Sequence, residues 1–311
     1  MSKQVDLTSL TGWANLSDGE HTITIKAKAD GYKDSQPSAG VQVTKAPEVY
    51  TDCLTFTGET SEFTLKATNK DWDGTLQWST DHTNWTTLAG TEAMQSVDKK
   101  LYLRGKGNTI FGNGSGVQWR LSAKAGCSGN IQTLLDWENP PTSMLKDYSY
   151  YGMFEGCALL TTAPELPVTT LKQFCYKYMF KNCTSLTTAP NLPATTLAPD
   201  CYNSMFAGCT LLIEPPELPA TTLAAACYMA MFRDCTSLTS APVLPATLAA
   251  NGCYTFMFQN CTSLKISETV GTKIFICPGN GYPAIVQDMF KNTGGSFTGT
   301  PKYGNTYYWY E

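Results

Sequence analysis

The chain has 311 residues, of which 15% are charged, and its formal net charge at pH 7 is −4. This length predicts two or three domains. The sparse, slightly acidic charge argues against a nucleic-acid partner bound through phosphate contacts. No apolar run of about 20 residues is present, so the sequence predicts no membrane-spanning helix.

The first segment, residues 1–46, is predicted to be β structure. Apolar and polar residues alternate after Glu20 and again after Ala39, and turn-forming residues separate the two runs. The segment resembles the last strands of a fibronectin type III domain. This implies an incomplete domain that packs on the next domain, on another subunit or on a virion component. No apolar stretch of a signal peptide follows Met1, so we expect no secretory leader.

The second segment, residues 48–134, alternates strand-like runs with turn residues. Turns are predicted at Asp73–Gly74 and Asn113–Gly114, and the pattern as a whole favours a small antiparallel β-sandwich. The predicted strands are Leu54–Phe56, Glu62–Ala67, Thr75–Ser79, Lys100–Arg104 and Val117–Ser122.

A five-residue phrase, Met-Phe-x-x-Cys, then recurs every 26 residues from Met153 to Cys261. A fixed period of this size is typical of stacked coils that share one core. In three of the units four apolar positions are spaced by four, as at Leu197, Cys201, Met205 and Cys209, which predicts one face of a short helix. The proline-containing half, such as Leu186–Pro193, is predicted to be extended.

These repeats resemble those of a known family. The pattern Phe-x-x-Cys-x-x-Leu-Thr, followed by Pro, is similar to the BspA-like leucine-rich repeats of bacterial surface proteins. The variant Leu-Pro-Ala-Thr-Thr-Leu-Ala resembles proteins of Bacteroides-type organisms and their phages. The resemblance covers roughly residues 140–265 and implies an adhesion-like role. The expected fold class is therefore α+β, with β-sandwich-like domains at 1–46 and 48–134, an α/β leucine-rich-repeat solenoid of five repeats at 135–264, and a degenerate repeat with a C-terminal cap at 265–311.

Twelve cysteines are present, and nine of them occupy two positions of the repeat. Zinc sites normally need closer ligand pairs, so we expect no metal. We interpret the repeat cysteines as small apolar core residues, with disulfides between neighbouring repeats as the alternative. The predicted core ladder consists of Cys157, Cys175, Met179, Cys183, Cys201, Met205, Cys209, Cys227, Met231, Cys235, Cys253, Met257 and Cys261.

Positions beside this ladder vary from repeat to repeat. Such rows on stacked coils are suited to recognition, although exposed positions also vary without any function. The candidate ligand-binding residues are Lys172, Phe174, Tyr178, Asp200, Asn203, Met229, Arg233, Phe256 and Gln259.

The C-terminal stretch repeats the phrase at Met289–Thr293, with Thr293 in place of the cysteine. Terminal repeats of a stack are expected to be atypical. The aromatic run Gly304–Tyr310 is predicted either to cover the open end of the stack or to present a ligand-binding platform.

A search for chemistry finds little. Asn69–Gly74 begins like a calcium-binding EF-hand loop, but Thr80 stands where a bidentate glutamate is required, so we interpret the segment as a turn, with calcium binding as the alternative. His21 and His82 are the two histidines, and no motif places a nucleophile beside either. The sequence therefore predicts no catalytic residues, metal or cofactor.

Together these features predict a non-enzymatic surface protein. The expected role is a phage tail-fibre or other virion surface protein that binds a host cell-surface glycan or protein and contacts other virion subunits through residues 1–46. Analogy with phage fibres suggests a homotrimer. A secreted or surface-anchored bacterial adhesin and a purely structural virion or scaffold component are the alternatives.

Overall fold

The computed structural model describes residues 19–23, 41–45, 53–112, 118–246, 249–277 and 285–311. The chain divides into two compact units, Met1–Thr51 and Asp52–Glu311. In the first, strands β1 (Gly19–Ile23) and β2 (Val41–Lys45) pair antiparallel. They overlap the two predicted runs, and most of the segment likened to fibronectin type III lies outside the described residues.

The second unit begins with two antiparallel sheets. One has the strand order β10-β3-β8-β5-β6 and the other the order β7-β4-β9. The strands are β3 (Leu54–Gly58), β4 (Thr64–Ala67), β5 (Thr75–Ser79), β6 (Thr86–Thr87), β7 (Met94–Gln95), β8 (Lys100–Lys106), β9 (Trp119–Leu121) and β10 (Ala125–Ser128).

Alternation of side chains explains these strands. In β8, Leu101 and Leu103 are buried while their neighbours Tyr102 and Arg104 are half-buried on the opposite face. The five predicted strands are present, apart from Val117, which lies outside the described residues with the predicted Asn113–Gly114 turn. The short β6, β7 and β10 were not predicted, because runs of two to four residues carry too little pattern.

A single 3-10 turn, Ile131–Leu134, leads from the sheets into the repeats. The Asn130 side chain accepts a hydrogen bond from the Gln132 N–H and so caps this turn. Gly105 of β8 packs directly on it, since a Cβ there would lie 1.7 Å from the Leu134 carbonyl oxygen.

The predicted α+β class is wrong, because the described residues contain no α-helix. The described part of residues 135–264 consists of turns, extended stretches and isolated bridges, and not of the predicted α/β leucine-rich-repeat solenoid. The extended halves of neighbouring repeats pair only at single positions, as at the parallel bridge between Thr170 and Thr196. The described chain is nearly all β.

Hydrogen bonding explains why the four-residue spacing produces no helix. The N–H groups of Cys175, Met179 and Cys183 each donate to the carbonyl three residues back, which closes a series of β-turns. The N–H groups between them donate to the next repeat. Tyr176 N–H donates to the Cys201 carbonyl, and Phe180 N–H donates to the Met205 carbonyl. Neighbouring repeats are thus joined by every second amide.

Backbone dihedrals show the same turns. Phe174, Tyr178 and Asn182 have φ of 59°, 60° and 61°. Each stands at the third position of a turn, where a type II turn requires positive φ. A left-handed residue at every fourth position ends any helix. Tandem turns and one helix face share a four-residue period, so the sequence pattern did not separate them.

Two columns of stacked rings run through the core of the repeats. Tyr150, Tyr176, Tyr202, Tyr228 and Tyr254 form one, with ring centroids 5.9–6.2 Å apart. Phe154, Phe180, Phe206, Phe232, Phe258 and Phe290 form the other, at 5.5–5.8 Å. All of these rings are buried, so each repeat completes the core of its neighbour.

A four-stranded sheet of order β12-β14-β11-β13 closes the chain. Its strands are β11 (Lys265–Ser267), β12 (Thr272–Ile276), β13 (Gly294–Gly295) and β14 (Thr306–Tyr310). Tyr307 of β14 is fully buried against Phe275, Phe290 and Phe297 at the end of the phenylalanine column. Among the described residues, no helix is long and apolar enough to cross a membrane.

Candidate ligand-binding surface

The residues of the predicted core ladder are all buried. Some of the ladder cysteines also form hydrogen bonds between repeats. The thiols of Cys183, Cys209 and Cys235 each donate to a phenylalanine carbonyl of the preceding repeat at 3.1 Å. The nine repeat cysteines are unlinked thiols. Cysteine therefore supplies a small apolar side chain and a weak donor at one position.

Burial keeps these thiols protonated. It raises the pKa of Cys201, Cys235 and Cys253 to about 12 and that of Cys157 to about 11. A thiolate is the reactive form of cysteine, so burial makes these sulfurs inert at neutral pH.

The predicted ligand-binding residues lie on the turns that follow each extended stretch, in rows that run from repeat to repeat. We call the surface formed by these nine residues, together with Lys177 and Lys181, the turn face. Lys172 and Arg233 are exposed, whereas Phe174, Tyr178, Asp200, Met229 and Phe256 are half-buried. Asn203 and Gln259 are buried, with 6% and 9% of their surface exposed, because the turn draws them against the next repeat.

At one end of the turn face, rings and ammonium groups gather. We call Tyr148, Tyr151, Phe174, Lys177, Tyr178 and Lys181 the tyrosine–lysine cluster. The ring of Tyr148 stacks on Phe174 at 4.6 Å, and Tyr151 meets Tyr178 edge-on at 5.5 Å. Lys181 Nζ lies 4.5 Å from the centre of the Tyr178 ring, and Lys177 Nζ lies 5.1 Å from that of Phe174. These are cation–π distances.

Charged partners fix both lysines. Lys177 Nζ lies 2.9 Å from Asp200 Oδ1, and Lys181 Nζ lies 3.1 Å from Glu155 Oε1. Asn203 Nδ2 also donates to Asp200 Oδ1, at 2.7 Å. The four side chains of these ion pairs are only 16–35% exposed. Their hydrogen bonds and ion pairs hold the cluster in one arrangement before a ligand binds.

The structure thus brings Phe174, Tyr178, Asp200 and Asn203 together through Lys177. Met229, Arg233, Phe256 and Gln259 occupy later repeats of the same rows, and Arg233 lies 3.4 Å from the Asp234 carboxylate. The nine predicted residues did not include Tyr148 or the two lysines. Tyr148 stands one 26-residue step before Phe174, so extending the register backwards would have identified it.

A second group that sequence reasoning missed lies on the first sheets. Arg104 is sandwiched between the rings of Trp85 and Trp137, with its guanidinium carbon 3.9 and 4.0 Å from the two ring centres. Beside it, His82 Nε2 lies 3.3 Å from the Cys53 thiol. Burial, followed by the positive charge of Arg104, lowers the pKa of His82. Cys53 and His82 are 29 positions apart in the sequence, and only the strand pairing brings them together.

The carboxylate of Asp73, a ligand in the calcium-binding alternative, already accepts hydrogen bonds from the protein itself. Asp73 accepts hydrogen bonds from the Thr109 N–H at 2.8 Å and the Ile110 N–H at 3.2 Å. Within the described ranges, no group of three or more His, Cys, Asp or Glu side chains could hold a metal ion. The segment connects β4 to β5, and Trp72 forms an antiparallel bridge with Phe111.

Comparison of the chain with protein-family models, with curated proteins and with solved structures finds no match. The resemblance to BspA-like repeats stays a prediction.

Proposed function

We propose that this chain is a non-enzymatic recognition protein on a virion surface, such as a phage tail fibre, and that it binds a host cell-surface glycan or protein through the turn face. Attachment to other virion subunits through residues 1–46 belongs to the same proposal. The tyrosine–lysine cluster is the observation that carries it.

The chemistry of that cluster supports binding. Tyrosine is among the residue types that contribute most to the affinity of protein interfaces. Here Tyr178 and Phe174 present partly exposed rings, and Lys177 is fixed between them and Asp200. Because these side chains are ordered by one another, less conformational entropy is lost on binding.

The separation of buried and exposed positions within the repeats supports the same conclusion. The ladder residues are buried and joined by backbone hydrogen bonds, whereas seven of the nine predicted ligand-binding residues are partly or fully exposed. Substitution on the turn face can therefore change a ligand preference without changing the core.

Retention of the purified chain on cells tests the proposal. We expect the fluorescently labelled full chain to sediment with one class of bacterial cell. We expect Lys177→Ala to lower this retention about tenfold, since it removes one anchor of the cluster. Lys66→Ala, an exposed lysine on β4, is the matched control and should retain full binding.

Failure of every tested cell type to retain the chain, in any oligomeric state, would overturn recognition and favour a structural component. Immunogold labelling distinguishes a virion surface protein from a bacterial adhesin. Labelled virions support the proposal, and label confined to bacterial envelopes would replace it with an adhesin.

A further inference from the structure

A trough lies between the C-terminal sheet and the proline-containing stretches of two repeats, outside the turn face. Two of its hollows, of about 350 and 530 Å³, share Glu214, Ser240 and Trp309 in their walls and are therefore adjacent. A third, of about 440 Å³, adjoins the first at Val243 and Pro245. Each has the size of a small-molecule site.

Trp309 is the central feature of the trough. Tyr307, two residues earlier on the same face of β14, is fully buried, whereas Trp309 is half-buried and lines both of these hollows. An indole at the border of core and solvent offers an apolar face beside water.

The walls favour a ligand recognised by side chains and not by main-chain pairing. Pro215, Pro216 and Pro219 line one side, and Pro242 and Pro245 the other. Proline has no N–H, so the proline-containing walls of the 350 Å³ hollow offer few donors for a ladder with an extended peptide strand.

The walls carry three carboxylates together with several hydroxyl groups. Glu214 and Glu217 present carboxylates to the 350 Å³ hollow, and Glu311 presents another to the 530 Å³ hollow. A ligand suited to these walls donates hydrogen bonds to the carboxylates, forms hydrogen bonds with the hydroxyl groups of Thr239, Ser240 and Ser263, and has an apolar face. Lys265 in the 530 Å³ hollow opposes a cationic ligand there.

We propose that this trough binds an oligosaccharide. The C–H face of a pyranose ring stacks on Trp309, and its hydroxyl groups donate to the carboxylates of Glu214 and Glu217. A proline-rich peptide would have too few donors and would leave these carboxylates desolvated and unpaired. The inference extends the proposed function with a second site, and it rests on that function only for the source of the glycan, the surface of a cell.

A printed array of bacterial capsular and mucin-type oligosaccharides, followed by calorimetric titration of the strongest binder, tests the inference with the full chain. We expect Trp309→Ala to weaken binding about tenfold or more, and Trp309→Phe less. Glu217→Gln should weaken it as well, without removing any packed ring. Tyr308→Ala is the matched control, because Tyr308 lies on the same strand and lines none of the three hollows.

Absence of any array binder for the wild-type chain would overturn the inference, as would full binding by both Trp309→Ala and Glu217→Gln. Capture of proline-rich peptides that depends on Trp309 would also overturn it. Tyr178→Ala distinguishes the two proposals: sugar binding that is lost in Tyr178→Ala and kept in Trp309→Ala supports the turn face and contradicts the trough.

Discussion

At the scale of single residues, cysteine has a specific place in this chain. Its thiol is small enough to fit between stacked repeats and still satisfies a carbonyl of the preceding repeat, as Cys209 does with Phe180 at 3.1 Å. The sequence predicted burial of these positions from their spacing. It did not predict the hydrogen bond, because a donor to a backbone carbonyl leaves no trace in hydrophobic periodicity.

Substitution at Cys209 measures that bond. We expect Cys209→Ala to lower the free energy of unfolding by about 1–3 kcal/mol, since it removes both packed volume and the donor. Cys209→Ser keeps a donor at the same place and should lose less. Urea denaturation of the three chains gives the comparison, and an alanine variant as stable as the serine variant would contradict the role of the thiol as donor.

Alkaline pH should unfold the protein. The pKa of Cys201 and Cys235 is raised from 9 to about 12 in the folded chain, so between these values the unfolded chain has released protons that the folded chain still holds. Stability is therefore fully present below about pH 9 and falls as pH rises toward 12. Urea midpoints at pH 8 and pH 10.5 check this; equal midpoints would contradict the burial of protonated thiols.

At the scale of elements, the helix predicted from the four-residue ladder is the most informative wrong prediction. Leu197, Cys201, Met205 and Cys209 predict a helix face, and they are indeed the inward positions. Their backbone forms tandem turns instead, because Asp200 and Ser204 have φ of 57° and 53° and their N–H groups donate to the next repeat. Side-chain periodicity predicted which residues point inward, and pairing between repeats determined the backbone.

Two glycines separate backbone strain from steric clash. Gly252 has φ of 70°, and a Cβ there would meet only Thr255 Oγ1 at 3.9 Å and Ala226 Cβ at 4.0 Å, while the equivalent Ala226 of the preceding repeat has φ of 52°. Gly252→Ala should therefore cost only about 1 kcal/mol. Gly105→Ala places a Cβ against the Leu134 carbonyl and should cost about 3 kcal/mol. Thermal denaturation of both variants checks the order, and a reversed order would contradict the packing of β8 on the 3-10 turn.

At the scale of the whole molecule, one register joins every repeat to the next. The 26-residue period was read from the sequence, and the columns of tyrosine and phenylalanine rings follow it as far as Phe258, after which Phe290 continues the column 32 residues later. The tyrosine–lysine cluster was predicted in part, since Phe174 and Tyr178 were named. Its contacts depend on the stacking angle between repeats and on turns that the sequence does not specify.

An in-phase deletion tests this register. Removing Cys183–Gly208 joins Asn182 to Cys209 and preserves both ring columns, so we expect a folded chain with lower stability. Removing only Cys183–Thr195 takes half a repeat and should prevent folding of the stack. Circular dichroism and the cooperativity of thermal unfolding distinguish the two, and equal behaviour of the two deletions would contradict a shared register.

The central claim is that the ladder residues maintain the fold while the turn face binds. Adjacent substitutions test it most directly, by measuring thermal stability and cell retention in parallel for Tyr178→Ala and Met179→Ala. The account predicts that Tyr178→Ala loses retention with its melting temperature nearly unchanged. It predicts that Met179→Ala, which empties a fully buried site, loses about 2–5 kcal/mol and keeps retention while folded. Full retention by a stable Tyr178→Ala chain would contradict it.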